Sequence, residues 1–378
     1  PSLSLHDNFG AGTAGLGDLD SDGIPDLAVG APNHNVYNPD DGVVYVLFLA
    51  SNGVARSHAM LSAAGGLDAD LEAYDRFGFS VAAAGDVNGD AVPDLAVGAL
   101  GDDDGHDDAG ALYLLMLDTD GSILDYTKVS DGRGNGPALD GEDSFGAAAV
   151  SLGTFDGDAI PDLAVGAPGD DDGAADAGAV YLLFLDASGA VRERTKISAT
   201  ATNAPALSAG DGFGSALANL GDLDGDGVAD LAVGAPYDDD GWTNAGSVYV
   251  LFMNTNGTVK ASRRIGAGSP DGPELDPADN FGAALAALGD LDGNGIGECL
   301  VGAPGDDDGA ANAGAAYVLF MDAGGTVKRI QKISRSNNPL TVTMDRARSI
   351  TAHFGQPGSI ALGATNLVST GWDCRAPT

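Results

Sequence analysis

The chain has 378 residues, 44% of them hydrophobic, and carries 56 acidic against 17 basic side chains for a formal charge of −39. A surface this negative argues against nucleic acid or an anionic membrane as a partner, and no apolar run is long enough for a membrane-spanning helix. The 58 glycines recur at fixed positions among apolar residues, which favours an ordered repeat over low complexity.

Read in chain order, the first signal is a Phe-Gly pair preceded two positions earlier by Asp7. The pair stands at Phe9, Phe77, Phe145, Phe213 and Phe281, each 68 residues after the last, with Asp7, Asp75, Asp143, Asp211 and Asp279 in front. Length alone would suit two or three domains, but an indel-free period favours one repetitive domain over residues 1–378. Its repeats run approximately over 1–66, 67–134, 135–202, 203–270 and 271–336, followed by a degenerate partial blade at 337–378. Each copy holds four strand-like runs. They are the segment after Phe-Gly (Ala11 to Leu16 in the first copy), an Asp-Leu-Ala-Val-Gly run expected to alternate, an aromatic-rich run such as Val43 to Leu49, and a more polar run such as Ile123 to Val129. Turns separate them, including Gly169 to Gly173 and Asp186 to Gly189. The predicted fold is all-β, a β-propeller of four-stranded antiparallel blades with five full blades and an incomplete sixth. Gly30, Gly98, Gly166, Gly234 and Gly302 fall where neighbouring backbones must approach closely.

Between the first two runs lies an acidic nine-residue loop. In the first copy Asp18, Asp20, Asp22 and Asp26 occupy positions 1, 3, 5 and 9. Like charges this close repel unless a cation sits among them. Oxygen-only donors on a flexible turn suit Ca²⁺, and the position-7 carbonyl of Ile24 can supply a further oxygen. The loop is not an EF-hand, because position 12 is Val29 and a strand follows the acid at position 9. The pattern returns as Asp86, Asn88, Asp90, Val92 and Asp94; as Thr154, Asp156, Asp158, Ile160 and Asp162; as Asp222, Asp224, Asp226, Val228 and Asp230; and as Asp290, Asp292, Asn294, Ile296 and Glu298. About five structural calcium sites are expected, the first and fourth having the full acid set. Ala91 and Ala159 replace the glycine of position 6, which strains the turn wherever φ is positive. Saturated oxygen cages leave no activated water, so no catalytic role is expected of them.

Phe-Gly followed by Gly-Ala-Pro, with an acidic loop between, resembles the FG-GAP repeat of the integrin α-subunit propeller and its bacterial relatives. Gly30-Ala31-Pro32, Gly166-Ala167-Pro168, Gly234-Ala235-Pro236 and Gly302-Ala303-Pro304 carry the resemblance, with Gly98-Ala99-Leu100 a near match. It covers residues 7 to about 335. The resemblance implies a secreted or cell-surface propeller that binds calcium structurally and uses its faces for protein or glycan contacts.

The last segment departs from the pattern. Asp345-Arg-Ala-Arg348 stands where a sixth Phe-Gly is due, and Gly355-Gln-Pro-Gly358 replaces the acidic loop. Ile360 to Thr365 mimics a second strand, a third fits around Val368 to Asp373, and no fourth remains. Pro1 aligns with the linker prolines Pro137, Pro205 and Pro273, so neither end supplies the missing strand. The start at Pro1 is read as a removed leader or a shortened chain. A second acidic series, at 102–104, 170–172, 238–240 and 306–308, lies between second and third strands, where it could hold cations or attract a basic partner. His6, His34, His58, His106 and His353 share no repeat position, and Cys299 and Cys374 allow one bridge or two free thiols. Asn256-Gly-Thr258 is an acceptor sequence for N-glycosylation.

The functional expectation is a non-enzymatic, extracellular, calcium-binding adhesion or scaffold module with protein or glycan partners on its faces. The incomplete blade exposes an edge that a second copy could cover, giving head-to-tail self-association and filaments. The alternative is a carbohydrate-binding or carbohydrate-active propeller with its site at the channel mouth.

Overall fold

A computed structural model of the protein describes residues 3–67, 70–308 and 313–334 in full, together with the backbone of three further strands, Leu340–Met344, Arg348–Phe354 and Ile360–Thr365. Five antiparallel sheets of four strands each, in simple sequential order, occupy residues 13–61, 77–129, 148–197, 216–266 and 284–334. The first strands of consecutive sheets lie against one another, so the sheets are blades of a propeller.

The Asp-Leu-Ala-Val-Gly-Ala run forms the second strand of every blade but the fifth, where Glu298–Ala303 reads Glu-Cys-Leu-Val-Gly-Ala. It does not alternate between core and solvent as expected. All six residues are buried in blades 2, 3 and 4, because each blade is covered on both faces by its neighbours. The third strands are equally buried, whereas the fourth strands form the polar outer rim. Among the described residues a core lies between each pair of adjacent blades from 1 to 5, and a small further cluster of Ala31, Val43 and Tyr45 lies on blade 1. In the core between blades 2 and 3, Leu112, Leu114 and Met116 of one blade meet Phe145, Tyr181 and Leu183 of the next. Val180, Leu182 and Phe184 likewise meet Phe213, Tyr249 and Leu251 between blades 3 and 4.

The first strand begins at Thr13, two residues later than expected, because the amide of Ala11 donates to the carbonyl of Asn8 and closes a turn around Phe-Gly. That turn stitches the blades together. The amide of Phe145 donates to Ala109 of the preceding blade at 2.9 Å, and that of Gly146 donates to Gly166 within its own blade at 3.0 Å. The phenylalanine ring then packs edge-on against the third-strand tyrosine, with centroids 5.5 Å apart for Phe145 and Tyr181. The two glycines of the motif also meet across blades. A Cβ added to Gly98 would lie 1.9 Å from the carbonyl oxygen of Gly146, and the same holds for Gly30 with Gly78 and Gly166 with Gly214. The predicted close approach is thus real at these positions, and its partner is the Phe-Gly glycine of the next blade.

Two blade faces differ from the rest. Phe9 is 39% exposed and Leu27 38% exposed on blade 1, while Phe77, Phe145, Phe213 and Phe281 are fully buried. On blade 5, Ala284, Ala286 and Ala287 are exposed, whereas the matching Ala216 and Ala218 of blade 4 are buried.

Beyond blade 5, Arg348–Phe354 pairs on one side with Leu340–Met344 and on the other with Ile360–Thr365, both antiparallel, with Ile350 opposite Val342 and Ala364. The run from Ile360 is a strand as expected; the strand at Leu340–Met344 was not anticipated, since it falls in the linker register of the repeat. The turn expected at Gly355 to Gly358 and the strand expected around Val368 to Asp373 lie outside the described residues.

The burial pattern sets an internal comparison. Phe213→Ala should destabilise the protein by roughly 3–5 kcal/mol, and Phe9→Ala by about 1 kcal/mol or less. Equal costs in chemical denaturation would contradict the account of the blade contacts.

Candidate metal centres

Each acidic loop is fixed to its blade by its last residue. The first strand ends in a β-bulge, where Gly17, Gly85, Gly153, Gly221 or Gly289 pairs with the position-9 acid. These glycines have φ between 65° and 92°, a conformation that costs other residues energy. The bulge turns the position-9 carboxylate inward, and Asp26, Asp94, Asp162, Asp230 and Glu298 are all essentially inaccessible. One oxygen accepts from the third strand of the blade: Leu49, Leu117, Leu185 and Met253 donate to Asp26, Asp94, Asp162 and Asp230 at 2.9–3.1 Å. The other accepts from the loop itself, as from Leu19, Val87 and Leu223 to Asp26, Asp94 and Asp230. Burial pushes the carboxyls of Asp162 and Asp230 up to about 6, against these hydrogen bonds and with the nearby loop acids adding to the rise.

Most of the remaining loop side chains accept amides of the loop itself. Position 5 accepts the amide of position 7 in all five copies: Ile24 to Asp22, Val92 to Asp90, Ile160 to Asp158, Val228 to Asp226 and Ile296 to Asn294, at 2.7–2.9 Å. Position 1 accepts amides of the turn in four, as with Asp18, Asp86, Asp222 and Asp290. Among the described residues, three acidic sets bring one oxygen from each member within 4.8 Å of the others: Asp18 with Asp20 and Asp22, Asp222 with Asp224 and Asp230, and Asp290 with Asp292 and Glu298. In the second loop the Asn88 amide nitrogen donates to Asp90, and Thr154 begins the third with a neutral hydroxyl. The donor set is all oxygen and suits a hard cation. Oδ1 of Asp20 and Oε1 of Glu298 are buried and have no hydrogen-bond partner, as expected of oxygens kept for an ion.

Ala91 has φ of 69°, the strained case anticipated for position 6, while Ala159 does not fall in that region. Ser21 takes φ of 60° at position 4, where the other loops have glycine.

The second acidic series is not a free ring of charge. Its first members, Asp102, Asp170, Asp238 and Asp306, are buried and ion-paired to a cation from the fourth strand. Lys128 Nζ lies 2.6 Å from Asp102, Lys196 Nζ 2.7 Å from Asp170, Arg264 Nε 3.1 Å from Asp238 and Lys332 Nζ 2.5 Å from Asp306. The third-strand tyrosines Tyr181, Tyr249 and Tyr317 donate to the same carboxylates at 2.6–2.9 Å. These acids therefore brace the blade, while the middle members Asp103, Asp171, Asp239 and Asp307, together with Asp240 and Asp308, are exposed beside it. The fixed offset of 68 residues between the four cations was the available sequence signal. Blade 1 lacks the pair: His34 stands in the aspartate's place with Nδ1 2.8 Å from Asp7, and Met60 stands in the lysine's. Cys299 is a buried free thiol, pushed up to about 12 by burial; Cys374 lies outside the described residues.

The acids before Phe-Gly sit beside this brace. Burial pushes Asp75 up to about 7, and Asp143 and Asp211 up to about 6, although each accepts a backbone amide. A folded-state value raised above the unfolded one gives stability that is present at acid pH and lost as pH rises from about 4 to about 7. Asp75→Asn, which mimics the protonated form, should thus gain stability relative to the parent across that window in urea titrations at stepped pH; a pH-independent difference would contradict the burial assignment. At Ala91, substitution by glycine should stabilise by about 1 kcal/mol, while Ala159→Gly should give no gain. Thermal melts of the two variants check this, and equal effects would show that backbone conformation is not the cause.

Comparison with known proteins agrees with this architecture. The FG-GAP repeat model matches residues 9–47, 146–183 and 213–251, and a second FG-GAP repeat model matches 67–115. Integrin alpha-3 of Mus musculus is 32% identical over 160 residues, which is 41% of this chain and 13% of that protein. Integrin alpha-PS5 of Drosophila melanogaster is 35% identical over 160 residues, covering 40% and 14% of the two chains. The matched stretches span only a small part of those relatives' length. Among solved structures, a mutant Aleuria aurantia lectin in complex with a fucoside aligns over 96% of this chain and 97% of its own at 11% identity and a TM-score of 0.46, too distant to carry an argument. Stretches of four of the five blades match FG-GAP repeat models, and the chain is a β-propeller similar in sequence to the integrin α subunits.

Proposed function

We propose that the protein is a non-enzymatic, extracellular adhesion or scaffold module whose blades are stiffened by calcium at the five acidic loops. The observation that carries this reading is the position-9 acid. It is inaccessible in every blade, held by the third strand in blades 1 to 4, and in blades 4 and 5 it gathers with position-1 and position-3 carboxylates that repel one another until a divalent cation joins them. Positions 1, 3, 5 and 9, with the carbonyl of position 7, would hold the ion, whose charge would offset the crowded acids. Sequence similarity to integrin alpha-3 and integrin alpha-PS5 supports a cell-surface setting, where calcium is plentiful enough to fill loops of this kind.

The segment 337–378 is read as a partial sixth blade, and head-to-tail self-association is read as running through the outer faces of the end blades. The exposed Phe9 and Leu27 of blade 1, whose counterparts are buried in the inner blades, and the exposed alanines of blade 5, whose counterparts there are buried or half-buried, support this. Light scattering over a concentration series separates a uniformly monomeric protein from an open-ended assembly.

A second reading, carbohydrate binding at the channel mouth, is favoured by a cavity of about 630 Å³ that Phe79, Pro168, Pro236 and Tyr237 line from three blades. Phe79 and Tyr237 are exposed there and offer faces to a sugar ring. A glycan array run beside a hydrolysis assay distinguishes binding from turnover.

Chelation is the direct test of the main reading. With calcium at a hundredfold excess over its Kd, each filled site should add about 3 kcal/mol of stability, so EGTA should lower the melting temperature clearly. An unchanged melting temperature would exclude structural calcium.

A further inference from the structure

The fourth strand of several blades carries a cation that reaches the metal loop of its own blade. It stands at one register position, occupied by Arg56, Leu124, Arg192, Lys260 and Lys328 in blades 1 to 5. In blade 4, Lys260 Nζ lies 2.5 Å from Asp224 Oδ2 and 2.6 Å from Asp226 Oδ2. In blade 3, Arg192 Nη2 lies 2.6 Å from Asp156 Oδ2 and 2.9 Å from Asp158 Oδ2. In blade 1, Arg56 pairs with Asp20 and, at 2.7 Å, with Asp22. These acids are positions 3 and 5 of the loop.

Which oxygens are used is decisive. The Oδ1 atoms of Asp22, Asp158 and Asp226 accept the amides of Ile24, Ile160 and Val228, and Oδ1 of Asp156 accepts that of Asp158. The Oδ2 atoms remain for a cation, and the side chain from the fourth strand takes them. We infer that Arg56, Arg192 and Lys260 are tethered cations that compete with calcium for the position-3 and position-5 carboxylates and so set how tightly blades 1, 3 and 4 hold the ion. This rests on the calcium reading above.

Two blades lack the arrangement and serve as controls within the chain. Blade 2 has Leu124 at the register position, and its position-5 Asp90 Oδ2 accepts from Asn88. Blade 5 has Asn294 at position 5, and Lys328 turns away to pair with Asp322 at 2.6 Å. A competing cation thus appears where positions 3 and 5 are both acids and is absent where one is an amide. The basic side chains are about two-fifths exposed at 39–41%, so each can leave the loop for solvent when an ion enters. Competition of this kind weakens apparent calcium affinity by the factor by which the internal pair is favoured, about two- to five-fold for a partly exposed pair.

The test is calorimetric titration of the full chain with Ca²⁺ at fixed pH and ionic strength, comparing the parent with Lys260→Leu, Lys328→Leu and Leu124→Lys. Leucine is already accommodated at this register in blade 2, so the first two variants should fold, as circular dichroism before titration confirms. Lys260→Leu should tighten one site by about two- to five-fold, Leu124→Lys should weaken one, and Lys328→Leu, which removes the same charge away from the loop acids, should leave the isotherm in place. Equal tightening by Lys260→Leu and Lys328→Leu would reduce the effect to net charge and overturn the inference. So would calcium binding by the parent with no change in Lys260→Leu. A parent that binds no calcium would overturn the calcium reading itself, and this inference with it.

Discussion

The structure depends on a carboxylate placed where the two halves of each blade meet. The acid at position 9 is sealed between the bulge glycine of the first strand and the amides of the third, so the same residue ends the loop, starts the second strand and reaches the third. A buried carboxylate is expensive unless hydrogen-bonded or paired with a cation. A loop amide, as from Leu19, Val87 and Leu223, and the third-strand amide supply the hydrogen bonds. On the proposed reading the other loop acids create the demand for a cation, and its site would be an extension of the sheet.

A second buried acid serves the opposite end of the blade. Asp102, Asp170, Asp238 and Asp306 each meet a lysine or arginine from the fourth strand, and in three blades the tyrosine that also receives the Phe-Gly ring donates closely to the same acid. Breaking such a pair by removing one partner leaves an uncompensated buried charge, which costs more than the intact pair contributes. Eight of the 17 basic residues of this very acidic chain stand at two register positions of the fourth strand, and all of these but Lys328 meet the buried or clustered acids. Between these ends, contact across blades is made by aromatic rings and by paired glycines that admit a carbonyl where no Cβ would fit.

Much of this was legible in the sequence because the period is strict. The spacing of Phe9, Phe77, Phe145, Phe213 and Phe281 fixed the number of full blades, and the Asp-x-Asp-x-Asp pattern located the loops. Three features were not legible for identifiable reasons. The second strands looked alternating because Ala and Gly count as weakly apolar, yet both faces are buried by neighbouring blades. The second acidic series reads from sequence as free to hold cations or attract a basic partner because its counter-ions lie 26 residues later, as Asp102 and Lys128 do, and only the folded blade brings them together. The role of Arg56, Arg192 and Lys260 was hidden in the same way, since these side chains follow their loop partners by two intervening strands.

The most direct test of the account is a crystal structure of the protein grown with calcium, with anomalous scattering used to locate ions. The account predicts a peak within each loop, among the oxygens of positions 1, 3 and 5 and the buried acid at position 9, with Lys260 displaced from Asp224 and Asp226. Ordered loops with no ion among these carboxylates would contradict it.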